Sequence, residues 1–344
     1  MLRAINKKNT NVKDDVSKMA VKPGADLAKL VKGNENKTIV PKVSESQTKS
    51  EEENKGKSGD AVTIKCTEFA EDIHKYLVHH DKKYILDENF LVGGEPTNKM
   101  RRILVDWLQQ VHVRFHLLPE TLHLTIYILD KMLAKKVTPK SELQLLGIAC
   151  LFIAAKFEEI YAPEIRDYEF ITENSFNKNQ ILQMEQTILS AIQFDLSCPS
   201  SIIFARYISA TVSEKNGSSN FDSDAYFYTY SMSKYIGEFA LVDSIMSSVP
   251  RSHIALAAMT IALELLPVRG INPITVEKKL IKAFGVTLAE NNDTVHLLAQ
   301  VVVKHLKQTK LVALKAKYQS NKLGAVANLI DDSAMEKLES MGHE

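Results

Sequence analysis

The chain has 344 residues, 45% of them hydrophobic, and its 43 basic and 42 acidic residues give a formal net charge of +1. This length supports one large domain or two of ordinary size, and the charge balance gives no general reason to expect binding to nucleic acid or a membrane. No apolar run reaches the roughly 18 residues of a membrane span, and the first residues, MLRAINKKNT, lack the apolar core of a secretory signal, so we expect a soluble intracellular protein.

The N-terminal 68 residues contain no aromatic side chain and are rich in Lys, Asn, Ser, Glu and Gly. Such a composition cannot bury enough apolar area to offset the entropy lost on ordering. We expect residues 1–65 to form a disordered tail, which is either an inert spacer or a regulatory segment.

From Phe69 onward the apolar spacing is helical almost throughout. FAEDIHKYLVHH places Phe69, Ile73 and Tyr76 on one stripe, and PETLHLTIYILDKML begins with Pro119, as a first helical turn often does. The segment PKSELQLLGIACLFIAAKFEEI is rich in small residues at its middle, which is typical of a helix packed on several sides. Helical patterns continue toward the C-terminus without convincing β-alternation, so the expected fold class is all-α.

A weak internal repeat relates ILDKMLAKKVTPKSELQLLGIACLFIAA to LVDSIMSSVPRSHIALAAMTIALELL. Each copy has an aspartate after an apolar pair, then proline, a basic residue and serine, and then a helix rich in small residues. Pro139 and Pro250 are 111 residues apart, which leaves room for about five helices per unit. The repeat therefore predicts two tandem five-helix bundles.

The segment MRRILVDWLQQVH, residues 100–112, contains the only tryptophan of the chain. On a helix its apolar arc spans about 200°, against about 100° for an ordinary surface helix. One interpretation is a central, mostly buried helix. The other is that one edge of the arc, formed by Met100, Ile103 and Trp107 beside Gln110, meets a partner.

Arg101 lies on the face of this helix that we expect inside the protein. A buried guanidinium is costly unless a carboxylate and hydrogen bonds satisfy it. Asp130, in the apolar stretch IYILDKML, is the expected mate, so we predict a structural ion pair between two helices.

Lys156 and Glu185 also interrupt apolar seams, in LFIAAKFEEI and ILQMEQTIL. They either pair with each other or extend to water, or they reach polar groups of a partner. Such a partner would dock over Ile153, Phe157 and Leu189.

Sequence motifs for catalysis are absent: no GxGxxG, GxxxxGK[ST], HExxH, CxxC or GxSxG occurs. Cys66, Cys150 and Cys198 lack metal-ligand spacing and fit a reduced protein. His112 and His116 could share a helix face, which is a weak metal signal without a third ligand at suitable spacing. We expect no cofactor, no metal and no enzymatic activity.

Several motifs closely resemble the cyclin box, in the right order: MRRILVDWL, ETLHLTIYILDKML, LQLLGIACLFIAAKFEEIYAPEI, QMEQTIL and FDLSCPSS. LLPETL, KFEEIYAPEIRDYEFIT and QILQMEQTILSAIQFDL look most similar to the mitotic B-type cyclins. The resemblance is strong over residues 66–200 and mainly topological over 200–320. It implies an N-terminal helix and linker (66–98), a first cyclin box (99–197), a second cyclin box (198–318) and a C-terminal tail (319–344) whose packing the sequence leaves open.

The resemblance implies a regulatory subunit that binds and activates a cyclin-dependent kinase to drive mitotic entry. In the family, the cyclin pushes a mobile kinase helix inward so that its glutamate pairs with the ATP-binding lysine, an alignment that phosphoryl transfer requires. Arg101 and Asp130 match the family's buried structural pair. The matching kinase-binding positions are Phe69, Ile73, Ile153, Lys156, Phe157, Glu159, Glu185, Leu189 and Leu196.

The resemblance also implies a substrate-docking patch that binds Arg-x-Leu peptides of substrates and inhibitors and raises their concentration near the active site. Some cyclins have a glutamate where this chain has Gln110, so we expect weaker selection for the basic residue of the peptide. The matching positions are Met100, Ile103, Leu104, Trp107, Gln110, Leu143 and Gln144.

Mitotic cyclins usually carry a destruction box, Arg-x-x-Leu followed by Asn five residues later. Here Arg3 and Asn11 keep the outer spacing, but Asn6 replaces the leucine. We hypothesise a degenerate degron that would make the ubiquitin ligase machinery a partner, and we expect the protein in nucleus and cytoplasm.

Two alternatives to a kinase-activating cyclin remain open: a cyclin-fold transcription adaptor that binds DNA or polymerase, and a metal-dependent enzyme.

Overall fold

The computed structural model describes residues 69–213, 222–271, 273–308 and 312–343, and all regular elements in these ranges are helical, as predicted. The predicted tail (1–65), with Cys66 and the candidate degron at Arg3 and Asn11, lies outside the described residues. None of the described helices is long and apolar enough to cross a membrane. In chain order they are α1 (Ala70–Asp81), α2 (Asn98–Arg114), α3 (Pro119–Ala134), α4 (Leu143–Glu158), α5 (Ile165–Ile171), α6 (Lys178–Ile192), α7 (Ser201–Ser213), α8 (Ser223–Val242), α9 (Arg251–Leu265), α10 (Pro273–Phe284), α11 (Asn292–Leu306), α12 (Ala313–Tyr318) and α13 (Asp332–His343).

The first bundle comprises α2–α6 with α4 at its centre. Every residue from Leu145 to Ala155 is buried, which confirms the helix packed on several sides. Each large apolar side chain buried there contributes about 1.5–3 kcal/mol. Gly147 permits the close approach of α2, because a Cβ at this position would lie 2.9 Å from Leu104 Cδ1.

The second bundle comprises α7–α11 and repeats the arrangement with α9 at its centre. Pro139 precedes a 3-10 turn and then α4, and Pro250 follows a 3-10 turn and caps α9. The repeated segments thus occupy equivalent places, and the prediction of two tandem five-helix bundles is confirmed. The core of this bundle includes Phe204, Leu256 and Phe284.

Helix α1 packs on the second bundle through His74. The imidazole stacks on Tyr207 with 3.7 Å between ring centroids, and Phe204 and Phe284 meet it edge-on. Burial among these rings lowers the pKa of His74 to about 4.

The described residues from Glu71 onward form one compact unit. Arg101 is a principal link between its two bundles. Its guanidinium donates to both carboxylate oxygens of Asp130, from Nε at 2.5 Å and from Nη2 at 2.6 Å. It also donates to the carbonyls of Leu241 and Val242, at 3.1 and 3.0 Å. These carbonyls end α8, where a helix leaves its last acceptors unsatisfied, so the Arg101–Asp130 pair joins the bundles as well as α2 to α3.

The C-terminal segment covers two surfaces that the sequence did not assign. Helix α12 lies over the polar arc of α2, where the Ala313 N–H donates to Asp106 Oδ1 at 3.0 Å, and both Asp106 and Gln109 are buried. Helix α13 packs on α11, and Gln300 Nε2 donates to the Gly342 carbonyl at 2.6 Å. Residues 319–343 therefore pack against the second bundle.

Candidate functional site

An ion pair between Lys156 and Glu185 joins the end of α4 to α6. The carboxylate is nearly buried, whereas the ammonium is half-exposed and lies 4.3 Å from the ring centroid of Phe152. The two charges that interrupt apolar seams thus meet each other. Because an ammonium has three N–H donors, the pair leaves donor capacity at the surface.

Apolar side chains surround this pair on the outside of the first bundle. Phe157 is exposed, and Leu189 and Leu196 are partly exposed. Ile153 was expected to lie beneath the docked partner, and it is only 3% exposed because α4 is the central helix. It supports the surface from beneath rather than contributing to it.

Glu159 has an intramolecular role that the resemblance does not imply. Its Oε1 accepts hydrogen bonds from the Leu118 N–H at 2.7 Å and from the Thr121 hydroxyl at 2.5 Å. Leu118 precedes α3 and has no side-chain oxygen with which to cap the helix. Glu159 therefore supplies the missing acceptor at the start of α3.

A series of side-chain contacts connects the exposed face of α1 to the loop after α6. Tyr76 stacks on His80, whose Nε2 lies 2.9 Å from the Tyr84 hydroxyl. Tyr84 donates to Asp195 Oδ1 at 3.0 Å, and Lys83 contacts the same carboxylate. These contacts hold α1, with its exposed residue Ile73, against the loop that contains Leu196. Phe69, which precedes α1 in the chain, is also exposed.

Phe194 is a surface residue that sequence reasoning missed. Its side chain is 70% exposed, and it follows Gln193 in a second consecutive left-handed conformation, with φ of +55°. A bulky residue in this region costs about 1–2 kcal/mol. The sequence signal that could have indicated its exposure is an aromatic residue between two polar neighbours in IQFDLS. Two other strongly exposed apolar side chains, Ile160 and Tyr161, follow the end of α4 in the chain.

The residues expected to form the docking patch divide into a surface and a floor. Gln110 is exposed, and Met100, Ile103 and Gln144 are partly exposed. By contrast, three members are buried. These three form the floor of the patch: Leu104, Trp107 and Leu143.

The polar end of the patch carries a concealed carboxylate. Gln110 Nε2 donates to Asp106 Oδ2 at 3.0 Å, while Oδ1 accepts from the Ala313 N–H. Burial raises the pKa of Asp106, an effect that these hydrogen bonds oppose. The patch therefore presents an amide to solvent, with the negative charge below it.

His112 and His116 do not share a helix face. Helix α2 ends at Arg114, and His116 lies beyond it with φ of +56°. His112 is buried with Nε2 3.0 Å from the Leu118 carbonyl oxygen, and burial lowers its pKa to about 4. In the described part of the chain no group of three His, Cys, Asp or Glu side chains is placed to hold a metal ion.

Comparison with known proteins gives consistent matches over both bundles. The cyclin N-terminal domain family matches residues 72–197, and the cyclin C-terminal domain family matches residues 199–332. A viral cyclin from herpesvirus saimiri superposes with a TM-score of 0.57 over 70% of this chain and 99% of that structure. At 18% identity this match shows the fold alone.

Curated relatives are closer in sequence. The G2/mitotic-specific cyclin-B1 of Caenorhabditis elegans is 60% identical over 283 residues, which cover 82% of this chain and 78% of that protein. The G2/mitotic-specific cyclin-B of Spisula solidissima is 36% identical over 269 residues, 76% of this chain and 58% of that protein. This chain therefore belongs to the cyclin family, whose members are regulatory partners of protein kinases rather than enzymes, and within it resembles the mitotic B-type cyclins.

Proposed function

We propose that this chain binds and activates a cyclin-dependent kinase to drive mitotic entry, and that it recruits substrates through its docking patch. The observation that carries the kinase-binding proposal is the Lys156–Glu185 pair, whose ammonium is half-exposed, with exposed Phe157 next to it in the chain. A charged group with spare hydrogen-bonding capacity inside an exposed apolar surface is typical of a protein interface. The B-type relatives support the choice of kinase and of cell-cycle stage.

The interface would act on the kinase by position rather than by chemistry. A mobile kinase helix seated on this surface would bring its glutamate to the ATP-binding lysine, an ion pair that kinase catalysis requires. Lys156 N–H groups would donate to backbone carbonyls of that helix, and Glu185 would accept from its N–H groups. The apolar contacts would come from Phe157, Leu189 and Phe194, since buried aromatic anchors dominate binding energy.

The test is co-purification of the full chain with candidate cyclin-dependent kinases, followed by a histone-type phosphorylation assay. The double variant K156A/E185A should lose kinase binding and activation while the helical circular dichroism persists. Replacing both partners together matters, because removing one alone would leave a buried charge without its mate.

A matched control is the double variant E164A/R166A, which removes an ion pair from the exposed surface of the same bundle. It should leave kinase binding unchanged. Full activation by K156A/E185A would contradict the assignment of the interface. Salt-dependent binding of DNA in place of kinase binding would favour a transcription adaptor instead.

The docking patch would recruit substrates independently of kinase activation. A weakly held peptide raises the local substrate concentration without any new contact at the active site. The variant M100A/I103A should leave activity on a short peptide substrate unchanged and slow phosphorylation of docked proteins. Equal losses on both substrate types would mean that these residues act through the core.

The proposal extends to regulated destruction and to both nuclear and cytoplasmic localisation. The tail keeps Arg3 and Asn11 at destruction-box spacing and is rich in lysines that could accept ubiquitin. Deleting residues 2–12 should stabilise the protein through mitotic exit, as followed by immunoblot and fluorescence microscopy. Unchanged loss of the protein would contradict the degron.

A further inference from the structure

We infer that the docking patch continues past Gln110 to Arg114 and Phe170, and that it selects peptides that place an Asp or Glu side chain there. This inference rests on the docking function proposed above. It names the chemistry of the ligand at the polar end of the patch, where the resemblance implies a basic residue instead.

Arg114 lies on the same edge of α2 as the exposed part of the docking patch. At about 100° per residue, with Met100 at 0°, Gln110 lies at about 280°, Ile103 at about 300° and Trp107 at about 340°. Arg114, the last residue of α2, falls at about 320°, in the middle of this edge. One continuous ridge therefore runs from Met100 to the end of the helix.

The guanidinium of Arg114 is exposed and lies against an exposed aromatic ring. Its central carbon is 5.8 Å from the ring centroid of Phe170, a residue of α5 that is 64% exposed. In the described part of the chain Arg114 has no carboxylate partner, whereas Arg166 on the same helix as Phe170 is paired with Glu164. A planar, weakly hydrated guanidinium with an aromatic platform is well suited to binding a carboxylate.

Two acidic side chains near this ridge accept hydrogen bonds from within the protein. Asp106 is buried and accepts from Gln110 and from the Ala313 N–H. Glu169, the neighbour of Phe170, accepts from the Lys178 N–H at 2.5 Å. The polar end of the patch thus presents a neutral amide and a cation, which complement an acidic side chain and disfavour a basic one.

The spacing of the ridge fixes where the acidic residue should lie. Trp107 and Arg114 are seven residues apart, which corresponds to a rise of about 10 Å along the helix. An extended peptide covers that distance in about three residues. The expected ligand is an extended peptide with an apolar anchor over Trp107 and Asp or Glu about three residues away.

The test measures fluorescence anisotropy of labelled peptides with the full chain. The peptides share a leucine anchor and carry Glu, Gln or Lys three positions to either side of it. We expect Glu to bind about two- to fivefold more tightly than Gln, and Lys to bind more weakly than Gln, as for an exposed ion pair. The differences should shrink between low and high salt.

The variant R114A should abolish the preference for Glu and leave the affinity for the Gln peptide within about twofold, whereas R166A should retain the preference. An unchanged preference in R114A, or a preference for Lys in the wild-type chain, would overturn the inference. Equal affinities for Glu and Gln that both fall in M100A/I103A would overturn it too and leave the docking function standing. Affinities that M100A/I103A does not change would overturn the docking function itself.

Discussion

Replacing Arg101 by methionine tests whether one buried side chain joins the two bundles. Arg101 is 1% exposed, and its four hydrogen bonds end on Asp130 and on the last carbonyls of α8. The substitution keeps an apolar side chain of similar length. It leaves Asp130 in the interior with Ser247 as its remaining donor, at 3.2 Å.

The expected cost follows from these contacts. Breaking a buried ion pair by removing one partner costs about 3–5 kcal/mol, and the loss of the donors to Leu241 and Val242 adds about 1–3 kcal/mol. The double variant R101M/D130L removes the unpaired charge and retains only the second loss. We therefore expect R101M to be less stable than the double variant by about 3 kcal/mol.

Urea unfolding of the full chain measures this difference. Trp107 is the only tryptophan, lies two turns beyond Arg101 on α2 and is buried, so its fluorescence reports on the first bundle. Circular dichroism reports on all the helices. A double variant that is as unstable as R101M would refute the reasoning, because the penalty would not then come from the uncompensated carboxylate. The milder D130N keeps the comparison measurable where R101M does not fold.

Three further substitutions test other features of the structure. G147A should lower the free energy of unfolding by about 1–3 kcal/mol in urea, because its Cβ would press on Leu104; an unchanged midpoint would mean that α2 shifts freely. Burial lowers the pKa of His123 to about 4, below the value of 6.5 in an unfolded chain. The contribution of His123 to the free energy of unfolding is therefore complete above pH 6.5 and is lost as the pH falls toward 4. This contribution should be lower by about 2 kcal/mol at pH 5 than at pH 8. H123Q should reduce the slope of that part of the pH profile without abolishing it, because burial also lowers the pKa values of His74 and His112 to about 4. F194G should raise stability by about 0.5–1 kcal/mol by relieving the left-handed strain while weakening kinase binding about tenfold in a pull-down titration; unchanged binding would remove Phe194 from the interface.

The periodicity of apolar residues predicted the helices, because it depends only on neighbouring turns of the same helix. The placement of charges predicted an ion pair where a buried charge had one suitable partner in the sequence. The all-helical fold followed from spacing, and the tandem bundles followed from the repeated segments around Pro139 and Pro250. The cost of burying a guanidinium led from Arg101 to Asp130. The same reasoning left two outcomes open for Lys156 and Glu185, and it is the geometry of α4 against α6 that brings them together.

The exposure of individual residues could not be read in the same way, because it depends on which distant segment covers a face. Asp106 and Gln109 lie on the polar arc of α2, yet they are buried by α12, about 200 residues later in the chain. Trp107 lies on the edge expected to meet a partner, yet it is buried in the folded chain.

Burial of Asp106 by α12 also determines which charge the polar end of the docking patch presents to a peptide. A wheel of α2 alone places the Asp106 carboxylate beside Gln110, where it would attract a basic peptide. The Ala313 N–H and the Gln110 amide each take one of its oxygens, and Arg114 becomes the accessible charge of the ridge. Separating Asp106 from α12 should therefore restore an acidic surface: A313P, which removes the N–H donor, should shift peptide preference from Glu toward Lys in the anisotropy assay. An unchanged preference in A313P with an intact fold would mean that the Gln110 amide and the Val312 backbone conceal the charge without the Ala313 N–H.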